Sequence, residues 1–157
     1  QTQEDPWQRV VDSHRPGDAL DGAVTKVVAF GAFVEIIPGV FTTGQVGEAI
    51  PEQAVVLETP EGAVVLTGCA HPGAVQMAEA AQAVVSGPLH GVLGGFHLMQ
   101  AQADDIRAVI RRFHEMGVAV AGPTHCSGEL AMDLFRESYG QDFVLLGSGR
   151  VVRFSGG

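Results

Sequence analysis

A chain of 157 residues, 46% apolar and with 21 glycines, has room for one packed domain with many tight turns. Its formal charge of −9 argues against a strong nucleic-acid binder, which needs clustered Lys and Arg against phosphate. No apolar run approaches the roughly 20 residues of a membrane span, and Gln1-Thr2-Gln3-Glu4-Asp5-Pro6-Trp7 does not read as a signal peptide, so no membrane partner and a cytoplasmic location are expected.

In chain order, residues 1–16 are polar, carry Pro6 and Pro16, and read as an arm. Residues 18–36 alternate through Leu20, Gly22, Val24, Lys26, Phe30, Ala32, Val34 and Ile36, which predicts a two-stranded hairpin turning near 29–31. Residues 38–51 are rich in Gly and Thr and read as loop. A second hairpin is expected at 54–58 and 63–67, turning about Pro60-Glu61-Gly62. The first helix is predicted at 74–85, with Val75, Ala78, Ala81 and Val85 on its apolar face and Ser86-Gly87-Pro88 as its stop. A second is predicted at 104–116, because Ile106, Val109, Ile110, Phe113 and Met116 keep the helical period while Arg107, Arg111 and Arg112 face out. Asp104 and Asp105 suit its N-terminus, and Gly117 ends it. The third covers 129–139, with Ser127 as a candidate cap and Gly140 as its stop. Residues 143–146 and 150–154 read as closing strands.

Three Gly-flanked histidines follow three apolar runs. They are His71 in Thr67-Gly68-Cys69-Ala70-His71-Pro72-Gly73, His97 in Gly94-Gly95-Phe96-His97-Leu98, and His125 in Gly122-Pro123-Thr124-His125-Cys126-Ser127-Gly128. A helix-like segment follows each. Strand, polar loop and helix in repetition predict parallel β/α units, so the fold class is α/β: a mixed sheet with about three helices on one face plus an N-terminal hairpin. Ligands in such sheets bind beyond the carboxyl ends of the strands. One edge would therefore collect His71, His97 and His125, a donor set for zinc or another divalent transition metal. The plain alternative is three unrelated loop histidines.

The segments Pro38-Gly39-Val40-Phe41-Thr42-Thr43-Gly44, Pro51-Glu52-Gln53-Ala54, Leu66-Thr67-Gly68-Cys69-Ala70-His71-Pro72-Gly73, Gly94-Gly95-Phe96-His97-Leu98 and Thr124-His125-Cys126-Ser127-Gly128 occur in this order. With them, residues 38–154 resemble the C-terminal half of the metallo-β-lactamase superfamily, nearest to the dihydropterin ribofuranosyl-aminobenzene phosphate synthase-like hydrolases. The resemblance implies a metal-dependent hydrolase, with His71 and His125 at metal-ligand positions and His97 near the place where many members carry a bridging carboxylate. Those enzymes also hold a His-x-His-x-Asp-His signature in their N-terminal half, and these 157 residues contain none. The expected activity is therefore weak or absent.

Glu4-Asp5-Pro6-Trp7, Gly17-Asp18 and residues 22–35 resemble instead the start of a ribosomal S-one-type RNA-binding repeat. That likeness implies that Phe30 and Phe33, with Lys26 nearby, lie on RNA-facing strands of a five-stranded barrel, of which only the first two strands are present. Residues 1–37 and 38–157 thus read as two parts of one cooperative domain, joined near Pro38-Gly39-Val40. The join reads as a chimera of unrelated fragments, with a naturally truncated homologue as the alternative origin.

Three functions stand side by side: a metal-binding hydrolase remnant, a weak nucleic-acid-binding module through the hairpin, and a folded chimera without an evolved role. Cys69 and Cys126 read as small buried residues that become ligands if there is room, and a disulfide between them is open if their loops meet. His90 and His114 read as structural or surface groups, and Glu48, Glu52, Asp104 and Asp105 as capping or solvated charge. Apolar sheet residues Val55, Leu57, Val65, Leu93, Val120 and Leu145 predict a second sheet face in need of cover, hence a homodimer.

Overall fold

The computed structural model describes the backbone of residues 23–28 and 31–35, and residues 39–154 with their side chains. β1 (Ala23–Val28) and β2 (Gly31–Glu35) pair antiparallel as a hairpin. Five further strands form one mixed sheet: β3 (Val40–Thr42), β4 (Val55–Thr59), β5 (Gly62–Thr67), β6 (Leu89–Gly95) and β7 (Val120–Thr124), neighbours in that order. β3, β4 and β5 run antiparallel, whereas β5, β6 and β7 are parallel. The parallel strands are linked by α1 (Ala74–Val84) and α2 (Ala103–Glu115), and α3 (Glu129–Tyr139) follows β7.

The fold class is therefore the expected one, α/β with three helices and a mixed sheet. Each parallel strand is rich in apolar residues because it is covered by helices, as burial of Ala63, Val65, Leu89, Val92 and Ala121 shows. The helices answer with their own apolar stripes. α2 buries Ile106, Ile110 and Phe113 at helical spacing, with Val109 and Met116 partly buried beside them. Asp104 and Asp105 occupy its first turn, and Gly117 takes a left-handed φ of 78° just beyond it. α1 buries Ala74, Met77, Ala78 and Ala81. Phe96, Phe113 and Phe135 form the centre of this core, with ring centroids 5.3–6.0 Å apart in tilted and edge-on arrangements.

Two expectations fail at the edges of the sheet. The stretch 38–51 is not all loop, because Val40–Thr42 adds a short strand against β4. Residues 143–146 and 150–154 form no strands. The Val144 N–H reaches Ala121 O at 2.8 Å and Phe143 makes a single bridge to the same residue, after which the chain leaves the edge of β7. This segment still covers sheet surface: Leu146 and Leu93 meet over Gly122, and Phe154 sets its edge against His90 at 5.8 Å. Leu93 is accordingly buried and Val65 lies on the helix side, whereas Val55 and Leu145 are exposed. Among the described residues no helix is long and apolar enough to cross a membrane.

Candidate metal centre

The carboxyl ends of β5, β6 and β7 lie side by side, so the loops that leave them share one edge. Hydrogen bonds tie these loops together. The Gly95 N–H donates to Gly68 O at 3.0 Å, and Thr67 Oγ1 donates to Gly95 O at 2.9 Å. Ser127, fully buried, accepts from the Phe96 N–H at 3.1 Å and donates to Thr124 O at 2.6 Å. It makes no cap to α3, whose N-cap is Gly128. Its removal would leave a buried N–H unpartnered, at a cost of about 1–3 kcal/mol.

Among the described residues, three non-glycine positions adopt left-handed backbone conformations: Ala70 (φ 57°), His97 (φ 53°) and His125 (φ 54°). Each lies just beyond one of the parallel strands. Such a conformation costs an L-residue roughly 1–2 kcal/mol, and clusters of it mark sites where side-chain aim matters.

His71 and His97 face one another, with ring centroids 4.4 Å apart. Glu52, from the loop before β4, clamps the first of them. Its carboxylate accepts hydrogen bonds from the Ala70 N–H at 2.8 Å, the His71 N–H at 3.2 Å and the His71 ring at Nδ1. Burial raises the Glu52 carboxyl, but the His71 ring and the two backbone N–H groups outweigh it and hold it below its ordinary value. An ionised carboxylate only accepts, so Nδ1 carries a proton, and in the neutral tautomer this fixes, Nε2 holds the lone pair. That is the arrangement by which a carboxylate orients a ligating histidine. An open cleft of about 410 Å³ lies before this pair, walled by residues 46–50, Pro72 and Gln76.

The third histidine lies with the cysteines. One ligand atom each from Cys69, His125 and Cys126 lie within 4.8 Å of one another. Both thiols are free and half-buried, and Cys126 Sγ donates to Cys69 O at 3.4 Å. Burial pushes the Cys69 thiol up, and the nearby Cys126 and Glu52 push it further. Gly95 permits the approach. A Cβ there would stand 2.3 Å from Gly68 O, 3.0 Å from Cys126 Sγ and 3.1 Å from Cys69 Cα. Imidazole and sulfur donors in this density fit a divalent transition metal.

The 7,8-dihydropterin-6-methyl-4-(beta-D-ribofuranosyl)-aminobenzene-5'-phosphate synthase of Methanocaldococcus jannaschii is 28% identical over 149 aligned residues, covering 77% of this chain and 50% of that protein. A solved metal-dependent hydrolase of the β-lactamase superfamily superposes with a TM-score of 0.64 and 30% identity, over 86% of this chain and 52% of its own. The chain is a homologue of part of these proteins. It spans about half the length of each. A ribosomal bS1 homologue of Bacillus subtilis is 54% identical over 35 residues, 22% of this chain and 9% of that protein. No family model matches.

The structure divides the candidate site residues between two points of this edge and the β1–β2 hairpin. His71 and His97 meet at one point of the edge, and His125 sits at the thiols. Among the described residues, the group of three donors drawn closest is Cys69, His125 and Cys126 rather than the three histidines. Lys26 and Phe33 are register partners in the β1–β2 hairpin, and Phe30 lies outside the described residues, as does His14. His90 and His114 do not join the centre: His114 stacks on Tyr139 at 4.6 Å and pairs with Ser138 Oγ at 2.9 Å. Glu52 is not the solvated charge expected of it, because it holds His71. Its place in the Pro51-Glu52-Gln53-Ala54 segment was the available signal.

Proposed function

We propose that this chain supplies the metal-binding edge of a hydrolase site, with His71, His97 and His125 as ligands and slight or no turnover by itself. The observation that carries the reading is the Glu52-held His71 facing His97 across an open cleft, beside His125 and its two thiols. A divalent metal held there would supply Lewis acidity toward a phosphoryl or acyl oxygen. The chain's own groups do the rest. Glu52 fixes the tautomer of His71, the cleft admits substrate, and α1 starts three residues beyond His71, where its N-terminus favours an anionic group. The synthase and the solved hydrolase are enzymes by name, and the segment that provides further ligands in that superfamily is absent from these residues. With a phosphodiester or a lactam and added zinc or manganese, turnover should stay far below the ordinary enzyme range of roughly 1–10³ s⁻¹. Turnover within that range would overturn the reading.

The join near residue 38 belongs to the same proposal. The curated matches cover 77% and 22% of the chain, shares that suit residues 38–157 and 1–37. The structural match is wider, at 86% of the chain.

The bS1 likeness favours a second reading, nucleic-acid binding through the hairpin. Arg9, Arg15 and Lys26 are the only cations in the first 36 residues. A fluorescent single-stranded RNA should therefore bind more weakly than about micromolar at physiological salt, with a shallow salt dependence. Tighter binding would make this the leading reading.

A further inference from the structure

The imidazole-based reading leaves two thiols at the same edge without a role. We infer that Cys69, His125 and Cys126 form a thiolate-rich binding site for zinc or another thiophilic divalent cation, beside the His71–His97 pair. The inference deepens the proposed function and depends on it only for a divalent cation at this edge.

The three donors come from the two loops that flank β6, those after β5 and β7. They meet across the end of β6 because its last residue, Gly95, has no side chain to separate them. Their ligand atoms lie within 4.8 Å of one another. Around a tetrahedral zinc with a Zn–S distance of about 2.3 Å, donors stand roughly 3.5–4 Å apart. The difference is about an ångström, within the reach of side-chain torsions. The loops are already fixed by the Gly95-to-Gly68 and Met99-to-Cys126 backbone hydrogen bonds, at 3.0 and 3.1 Å. His125 is exposed, so the cation has a path in. Three protein donors leave a fourth position for water or a substrate oxygen, the pattern of catalytic rather than structural zinc. Glu52, which contacts the Ala70 N–H next to Cys69, adds negative charge that favours a cation.

Cobalt(II) titrated into the reduced full chain tests this. Thiolate-to-cobalt charge-transfer bands should appear in the near ultraviolet. They should weaken in Cys69→Ser and in Cys126→Ser, vanish when both are replaced, and persist in His71→Ala and His97→Ala. Cobalt bound without such bands, or bands that survive the double Cys69→Ser/Cys126→Ser variant, would overturn the thiolate site and leave the histidine reading standing. No cobalt uptake at all would sink both. Because a variant can fail to fold, the unaltered chain gives a second readout. Zinc should slow alkylation of Cys69 and Cys126 by about tenfold or more, and equal rates with and without zinc would refute the site.

Discussion

Gly95→Ala should produce a less stable protein whose zinc affinity is reduced by about 10–100-fold, the usual cost of disturbing the groups that orient ligands. The added methyl group would sit 2.3 Å from Gly68 O, a backbone atom that cannot swing aside as a side-chain tip can. It would also press on Cys126 Sγ and Cys69 Cα, at 3.0 and 3.1 Å. Relief requires the β5 and β7 loops to part, which stretches the Gly95-to-Gly68 hydrogen bond and separates the thiols. Overpacking of this kind typically costs about 1–3 kcal/mol. Urea denaturation with and without zinc measures both effects. A variant as stable as the parent and equally stabilised by zinc would show that close packing at Gly95 does not build the centre.

Phe113→Ala should cost about 3–5 kcal/mol, a large share of the roughly 5–15 kcal/mol that holds a domain together. Phe113 is fully buried, where α2 meets Phe96 at 5.6 Å and Phe135 of α3 at 6.0 Å. Phe96 immediately precedes His97, so the cavity would loosen the loop that carries that histidine. For a chain of this length the melting temperature should fall by about 6–20 °C. A loss below about 1 kcal/mol would mean that the site collapses on itself, and that the aromatic cluster does not support the loop.

The elements that sequence made legible are those with a strong period. α2 and α3 lie within a residue of expectation because their apolar positions repeat and glycines end them. The parallel strands are legible through apolar runs that Gly-flanked histidines follow. β3 is not, because three residues in a Gly- and Thr-rich stretch become a strand only by pairing with β4. Residues 143–146 fail in the opposite sense: they have strand composition, but only one bridge to β7 awaits them. Local propensity cannot anticipate either outcome, since the partner decides.

The site divides in the same way. The histidines are visible as a set because they occupy equivalent positions after the strands. Their division into a facing pair and a member of a thiol cluster is not visible, because it depends on side-chain aim within the loops. Cys69 and Cys126, small apolar residues by composition, lie half-exposed at the edge because Gly95 holds their loops together. Glu52 reaches across 19 residues to His71, and no periodicity announces a contact of that range.

Zinc uptake by the reduced full chain, measured by equilibrium dialysis and elemental analysis, tests the metal centre most directly. The parent should bind about one zinc or more per chain. The His71→Ala/His125→Ala double variant, with its helical circular dichroism intact, should bind little, because each donor group has then lost an imidazole. A parent that binds no zinc, or a double variant that binds as much as the parent, would contradict the account.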